Sequence, residues 1–200
     1  GGTVLYASDY GGTLRAWNTA TGAAIWTSKV APAAVASLAI SPDGKWLAGG
    51  GANGSLRLLD AATGKETDFD GGKGILWSVA FSPDGRLVAA SSGDGAVRVW
   101  NVSSGALTFT LDGGHGELRT LAFSPGGTLL AAGAYDGAAL LWSLPEGKLA
   151  QPLIPSGRPS ENYPGEYSLS RVRFNPEGSQ LLTASYDGSA RLWDVATGAF

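Results

Sequence analysis

Short apolar runs, cut by clusters of glycine, proline, aspartate and serine, cover this chain from end to end. Their lengths and punctuation suit strands rather than helices. Between residues 72 and 113 the pattern predicts four strands, Ile75–Ser82, Arg86–Ser91, Ala96–Val102 and Ala106–Leu111. Pro83-Asp84-Gly85 ends the first. Gly93-Asp94-Gly95 reverses the chain after the second, because Asp-Gly readily adopts the positive φ of hairpin turns. Ser103-Ser104-Gly105 turns the third into the fourth. These strands carry apolar residues on both faces, so both faces of their sheet are expected to be covered.

The same unit recurs along the chain, and a fixed repeat governs the fold reading. Ser41-Pro42-Asp43-Gly44, Ser82-Pro83-Asp84-Gly85, Ser124-Pro125-Gly126-Gly127 and Asn175-Pro176-Glu177-Gly178 follow one another at steps of 41, 42 and 51 residues. A second marker keeps the same beat: Trp17, Leu59, Trp100, Trp142 and Trp193. Units of four antiparallel strands stacked face to face describe propeller blades. The expected blades are 1–30, 31–71, 72–113, 114–167 and 168–200. The first lacks its inner strand and the last most of its outer strand, which predicts an incomplete, association-prone ring of about five blades.

Composition narrows the function classes. The 200 residues are 44% hydrophobic and only 16% charged, with 31 glycines, as expected for many buried strands and tight turns. The net charge is −3 and no Lys/Arg cluster rises above it, so nucleic acid is not the expected partner. No run approaches the roughly 18 apolar residues of a membrane span, and no signal-peptide pattern opens the chain. The absence of cysteine removes disulfides and thiolate metal sites and is compatible with the cytoplasm, the expected location. There is no methionine, and the chain opens inside a strand-like pattern. It is therefore expected to be a piece of a longer protein, with fused domains left open.

The Ser-Pro-Asp-Gly turns, the turn residues Asn53, Asp94, Asp136 and Asp187 before glycine, the full dipeptide Trp193-Asp194 and its degraded forms Trp17-Asn18, Leu59-Asp60, Trp100-Asn101 and Trp142-Ser143 resemble the WD-repeat family. Gly114-His115 matches the Gly-His dipeptide of that family once. The resemblance covers essentially the whole chain, and its Ala/Gly-rich character is similar to bacterial members. It implies an all-β propeller that serves as a protein-interaction scaffold rather than an enzyme. It also implies structural roles for His115, Asp136 and Trp142 in one blade and for Thr183, Asp187 and Trp193 in the next. Ala132 stands where the fourth blade would carry the hydroxyl of that network, and the fifth blade lacks the histidine.

His115 is the only histidine, so no catalytic relay or histidine metal site can form around it. Gly49-Gly50-Gly51-Ala52-Asn53-Gly54 spells a dinucleotide-binding pattern but leads into a strand, not the helix that chemistry requires. Arg15, Arg57, Arg98 and Arg191 recur in register and read as scaffold, their stems packed between blades. No cofactor or metal is expected.

The resemblance also implies that positions four and six residues before the end of each inner strand open onto the top face and meet partners. Here these are Ala34 and Ala36, Ile75 and Trp77, Glu117 and Arg119, and Ser168 and Ser170. Trp77 is either a hot spot of that face or a filler between blades. The long step before the last blade falls in Ile154–Tyr167, which carries three prolines with Arg158, Tyr163 and Tyr167. It reads as part of the partner surface or as a tolerated insertion. The expected partners are other proteins or peptides, met through Ile75, Trp77, Glu117, Arg119, Arg158, Tyr163, Tyr167 and Ser170. A competing reading is a quinoprotein-type propeller enzyme, because Ala20-Thr21-Gly22-Ala23-Ala24-Ile25-Trp26 resembles the tryptophan-docking repeat of that family.

Overall fold

Glycine-closed turns cut the chain into eighteen described strands, which pair into five antiparallel sheets. The computed structural model describes residues 2–30, 34–69, 74–155 and 164–200. The first sheet holds β1 (Val4–Ser8), β2 (Thr13–Asn18) and β3 (Ala24–Lys29). The second holds β4 (Val35–Ile40), β5 (Trp46–Gly51), β6 (Leu56–Asp60) and β7 (Glu66–Asp68). The third holds β8 (Leu76–Phe81), β9 (Leu87–Ser92), β10 (Ala96–Asn101) and β11 (Leu107–Asp112). The fourth holds β12 (Leu118–Phe123), β13 (Leu129–Ala134), β14 (Ala139–Ser143) and β15 (Lys148–Leu153). The fifth holds β16 (Leu169–Phe174), β17 (Gln180–Ser185) and β18 (Ala190–Asp194). The inner strands β4, β8, β12 and β16 lie side by side in that order, so the sheets radiate as blades of a ring that is not closed.

Side-chain oxygens hold the turns. After each inner strand, Ser41 and Ser82 accept the N–H of Trp46 and Leu87 at 2.9 Å. Their own hydroxyls donate to Asp43 and Asp84 at 2.6 Å. Asn175 serves the same purpose, its Oδ1 accepting the Gln180 N–H at 2.9 Å. Any residue with a short acceptor suffices there, which is why Asn can replace Ser. The glycine closing these turns has φ near +70°, as at Gly85 with 71°. In the later turns, Asn18, Asp60, Asn101 and Asp194, each following the tryptophan position, accept N–H groups of the next residues. The second letter of the Trp-Asp dipeptide is therefore a turn cap.

The core is distributed between sheets. Leu14 and Val30 of the first sheet region pack with Val35, Leu47 and Leu59 of the second. Ala48 and Leu58 then pack with Leu76, Val79, Val88 and Trp100. Ala89, Val97 and Val99 meet Leu118, Leu121, Leu130 and Trp142. Ala131, Ala139 and Leu141 meet Leu169, Val172, Leu181 and Trp193. The approach is close: a Cβ on Gly133 would come within 2.7 Å of Leu169 Cβ.

The two end sheets each leave one face uncovered. Leu192 occupies in β18 the position of Leu141 in β14, yet it is 49% exposed against 1%. Leu5 of β1, equivalent to the buried Leu130, is 58% exposed. Replacing Leu141 by alanine should therefore cost about 2–5 kcal/mol in urea denaturation, and replacing Leu192 under about 1 kcal/mol. Equal losses would contradict a core built only between sheets.

Candidate functional site

At one end of the sheets the beginnings of the inner strands meet the turns that join second to third strands. Three residues singled out from the sequence come together there. The Arg119 guanidinium lies 5.2 Å from the centre of the Trp77 ring. Its Nε and Nη2 donate to Glu117 Oε2 at 3.3 and 3.2 Å. A second ring, not anticipated from the sequence, is Tyr135, whose centre is 4.5 Å from the same guanidinium. A cation held between two rings and a carboxylate forms a pre-organised platform, each ring contact worth about 0.5–1 kcal/mol at an exposed site.

Trp77 also forms one wall of an open cleft of about 440 Å³. Ala34, Val35 and Ala36 line it, and Ser8, Asp9 and Tyr10 complete it. The small alanines leave the space open between Trp77 and Tyr10, which is 95% exposed. Tyr10, Tyr135 and Tyr186 stand at the same turn position in three sheets, where the others carry Ala52 and Gly93. The sequence feature that marks Tyr10 and Tyr135, and that the repeat markers pass over, is an aromatic at a turn position the repeat does not require.

The remaining candidates divide. Ile75 is half-buried beside Trp77, and its carbonyl accepts the Gly93 N–H at 2.8 Å. The inserted segment ends in a single 3-10 turn, Pro164–Tyr167, that reaches the platform. Gly165 lies against the Tyr135 hydroxyl so closely that a Cβ would overlap it. Tyr167 is half-buried, and its carbonyl accepts the Ser185 hydroxyl at 2.9 Å. Ser170 is exposed and donates to the Ala184 carbonyl at 3.2 Å, outside the cluster. Arg158 and Tyr163 lie outside the described residues.

Beneath this face, side-chain pairs brace the turns. His115 Nδ1 is 2.8 Å from Asp136 Oδ2, and Trp142 is buried in the layer below with Ala132 beside it. In the fifth sheet the Trp193 indole donates to the buried Thr183 hydroxyl at 3.0 Å. Asp187 there pairs with Arg191 at 3.2 Å. Of the recurrent arginines, Arg15 and Arg98 also pair with turn carboxylates, Asp9 at 2.9 Å and Asp94 at 2.7 Å. Arg57, whose turn carries Asn53, pairs with Glu66 at 2.9 Å. The fourth sheet has Leu140 in that series, and there His115 approaches the turn carboxylate instead. Trp26 bridges the first two sheets, its indole donating to the Ala61 carbonyl at 3.0 Å. Among the described residues no group of three or more His, Asp or Glu side chains is placed to hold a metal ion.

A family model described as WD domain, G-beta repeat matches residues 26–60, 65–101, 105–143 and 157–194. Among solved structures, the chain is similar to the crystal structure of the computationally designed Ika8 protein, with a TM-score of 0.82 and 23% identity. The alignment covers 98% of this chain and 56% of that one, so the chain spans just over half the designed protein's length. At this identity the likeness is one of fold. No curated protein matches the sequence.

The turn carboxylates make stability depend on acid. Burial pushes the Asp187 carboxyl up, but hydrogen bonds from Ser189, Arg191 and Ser185 outweigh it and hold its pKa down at about 2. Hydrogen bonds from Ser41 and Ser82 likewise lower Asp43 and Asp84. Since the folded value of Asp187 lies below the unfolded 3.8, its stabilisation is complete above that value and lost as pH falls toward 2. The urea midpoint should hold steady from about pH 7 to 5 and fall between about pH 4 and 2, less steeply in Asp187→Asn. A midpoint that rose on acidification would contradict this.

Proposed function

The chain belongs to the WD-repeat family, and from that premise we propose that it is a non-catalytic protein-interaction scaffold presenting the face around Trp77 and Arg119 to a protein or peptide partner. WD repeats generally mediate protein–protein interaction and are typically non-catalytic. The observation that carries the finer reading is the guanidinium of Arg119 held between Trp77 and Tyr135. Aromatic residues and arginine are the residue types enriched where interfaces concentrate their energy. Here they are fixed in place before any partner arrives, which lowers the ordering cost of binding.

The cleft between Tyr10 and Trp77 supports the same reading, since a side chain of the partner can enter it without displacing the sheets. The carboxylates on the arginines of this face favour a polypeptide over a phosphate backbone. No described helix is long and apolar enough to cross a membrane. The cytoplasm is the proposed setting.

Trp77→Ala and Arg119→Ala should each shift the melting temperature by no more than about 4 °C, because both side chains are partly exposed. Each should weaken partner capture at least about tenfold, the scale expected of a hot-spot truncation. The measurement is affinity capture from extracts of the source organism with the wild-type and variant chains, followed by titration of the retained protein. Retention at unchanged affinity by both variants would remove this face from the function.

A further inference from the structure

Three of the four junctions between sheets are closed on the outside by a side chain of the outer strand. Trp26, Phe109 and Gln151 stand opposite Ala16, Val99 and Leu141, each one residue before a tryptophan of the repeat. Each lies over the glycine of the turn that leaves the third strand of the following sheet. A Cβ on Gly64, Gly147 or Gly198 would come within 2.7, 2.6 or 3.4 Å of Trp26, Phe109 or Gln151. Trp26 and Gln151 also donate N–H groups to the carbonyls of Ala61 and Val195 in those turns, at 3.0 and 2.9 Å.

The junction between the second and third sheets lacks that side chain. Its register position, opposite Leu58, belongs to Thr67, which is exposed. A Cβ on Gly105 would meet nothing within 4 Å. Among the described residues no side chain donates to the Val102 carbonyl, the counterpart of Ala61 and Val195. Val102 itself is half-buried, whereas Ala61 and Leu144 are 3% and 4% exposed. Two residues further along the outer strand the junction is closed, Phe69 being buried like Leu111 and Leu153. Against the open turn lies a cleft of about 600 Å³, with Asn101, Val102 and Ser103 on the third sheet and Trp46 on the second. Both sheets have neighbours on either side, so the gap does not arise from the ends of the chain.

We propose that this gap receives a tryptophan side chain from a polypeptide segment of another protein. A flat ring over the glycine is what Trp26 and Phe109 supply at their junctions, and an N–H for the carbonyl is what Trp26 and Gln151 supply. An indole does both. The rim pairs Asp43 with Lys45 and Asp84 with Arg86, at 3.3 and 3.8 Å, so it carries no net charge to attract a phosphate backbone. A second copy of the chain has no tryptophan to offer, since none of the seven is exposed. A lone indole would stay partly in water in so open a cleft, whereas a peptide adds contacts along its rim. The cleft lies past the ends of the inner strands, at the opposite end of the sheets from Trp77 and Arg119. It therefore stands or falls independently of the proposed function.

The test adds a short peptide of glycine and serine around one tryptophan to the isotope-labelled 200-residue chain. The amide resonances of Ser103, Ser104 and Gly105 are followed by nuclear magnetic resonance. They should shift saturably. The same peptide carrying 1-methyltryptophan keeps the ring, loses the donor and should bind about tenfold more weakly. Thr67→Trp should fill the gap from within the chain, raising the melting temperature by about 2–4 °C and abolishing the peptide shifts. Trp77→Ala should bind the peptide as the wild type does. Unaltered far-UV circular dichroism checks the variants, and the comparison of the two peptides needs no variant. The proposal is overturned by the absence of a saturable shift, or by equal affinity for the two peptides. It is equally overturned if folded Thr67→Trp binds the peptide unchanged, or if N-acetyltryptophanamide alone binds as tightly as the peptide.

Discussion

No sheet in this protein encloses a core of its own; apolar layers form only where two sheets meet. Each layer takes the second and third strands of one sheet and the first three strands of the next, as when Ala131 and Leu141 receive Leu169, Val172, Leu181 and Trp193. Full burial of one such leucine is worth roughly 1.5–3 kcal/mol, so a sheet gains most of its stability from its neighbours. The matched sequence repeats reflect this coupling. The second match runs from residue 65 to 101, from β7 of the second sheet to the end of β10 in the third. A unit of sequence thus spans two units of structure and ties each sheet to the one before it.

That constraint also positions the site. With the faces of the inner sheets occupied by packing, partners can reach them at the strand ends, where turns are held by Asx and Ser/Thr bonds and by the Asp–Arg and His–Asp pairs. These braces hold Tyr10 and Tyr135 at the tips of rigid turns rather than on loose loops. The resulting rim can vary its side chains without disturbing the layers below. Trp77 and Arg119 share one place in the repeat with Ala36 and Ser170.

The repeat made the fold legible, because turn chemistry and burial are periodic and both are written in residue types. The doubly marked step of about 42 residues sufficed for five sheets, and the Asn175 turn was readable because Asn can accept the same N–H as Ser. The platform was legible only in part. Trp77 and Arg119 stood out as residues the repeat does not need, but Tyr135 sits at a turn position one residue before a structural aspartate, and only three-dimensional packing brings its ring over Arg119. The arginines at 15, 98 and 191 could be read as scaffold, yet their pairing with turn carboxylates depends on the hairpin register. For Arg15 the aspartate lies two residues earlier in its turn than in the other sheets.

Stability in this protein is shared between neighbouring sheets, and native-state hydrogen exchange reads that directly. The second strands β5, β9 and β13 belong to sheets covered on both faces, whereas β1 and β17 belong to sheets covered on one. Amides of β5, β9 and β13 should exchange only through the highest-energy openings, while those of β1 and β17 open at a lower free energy. Uniform protection across all five second strands would show that the sheets open as one unit, and would contradict a structure held together interface by interface.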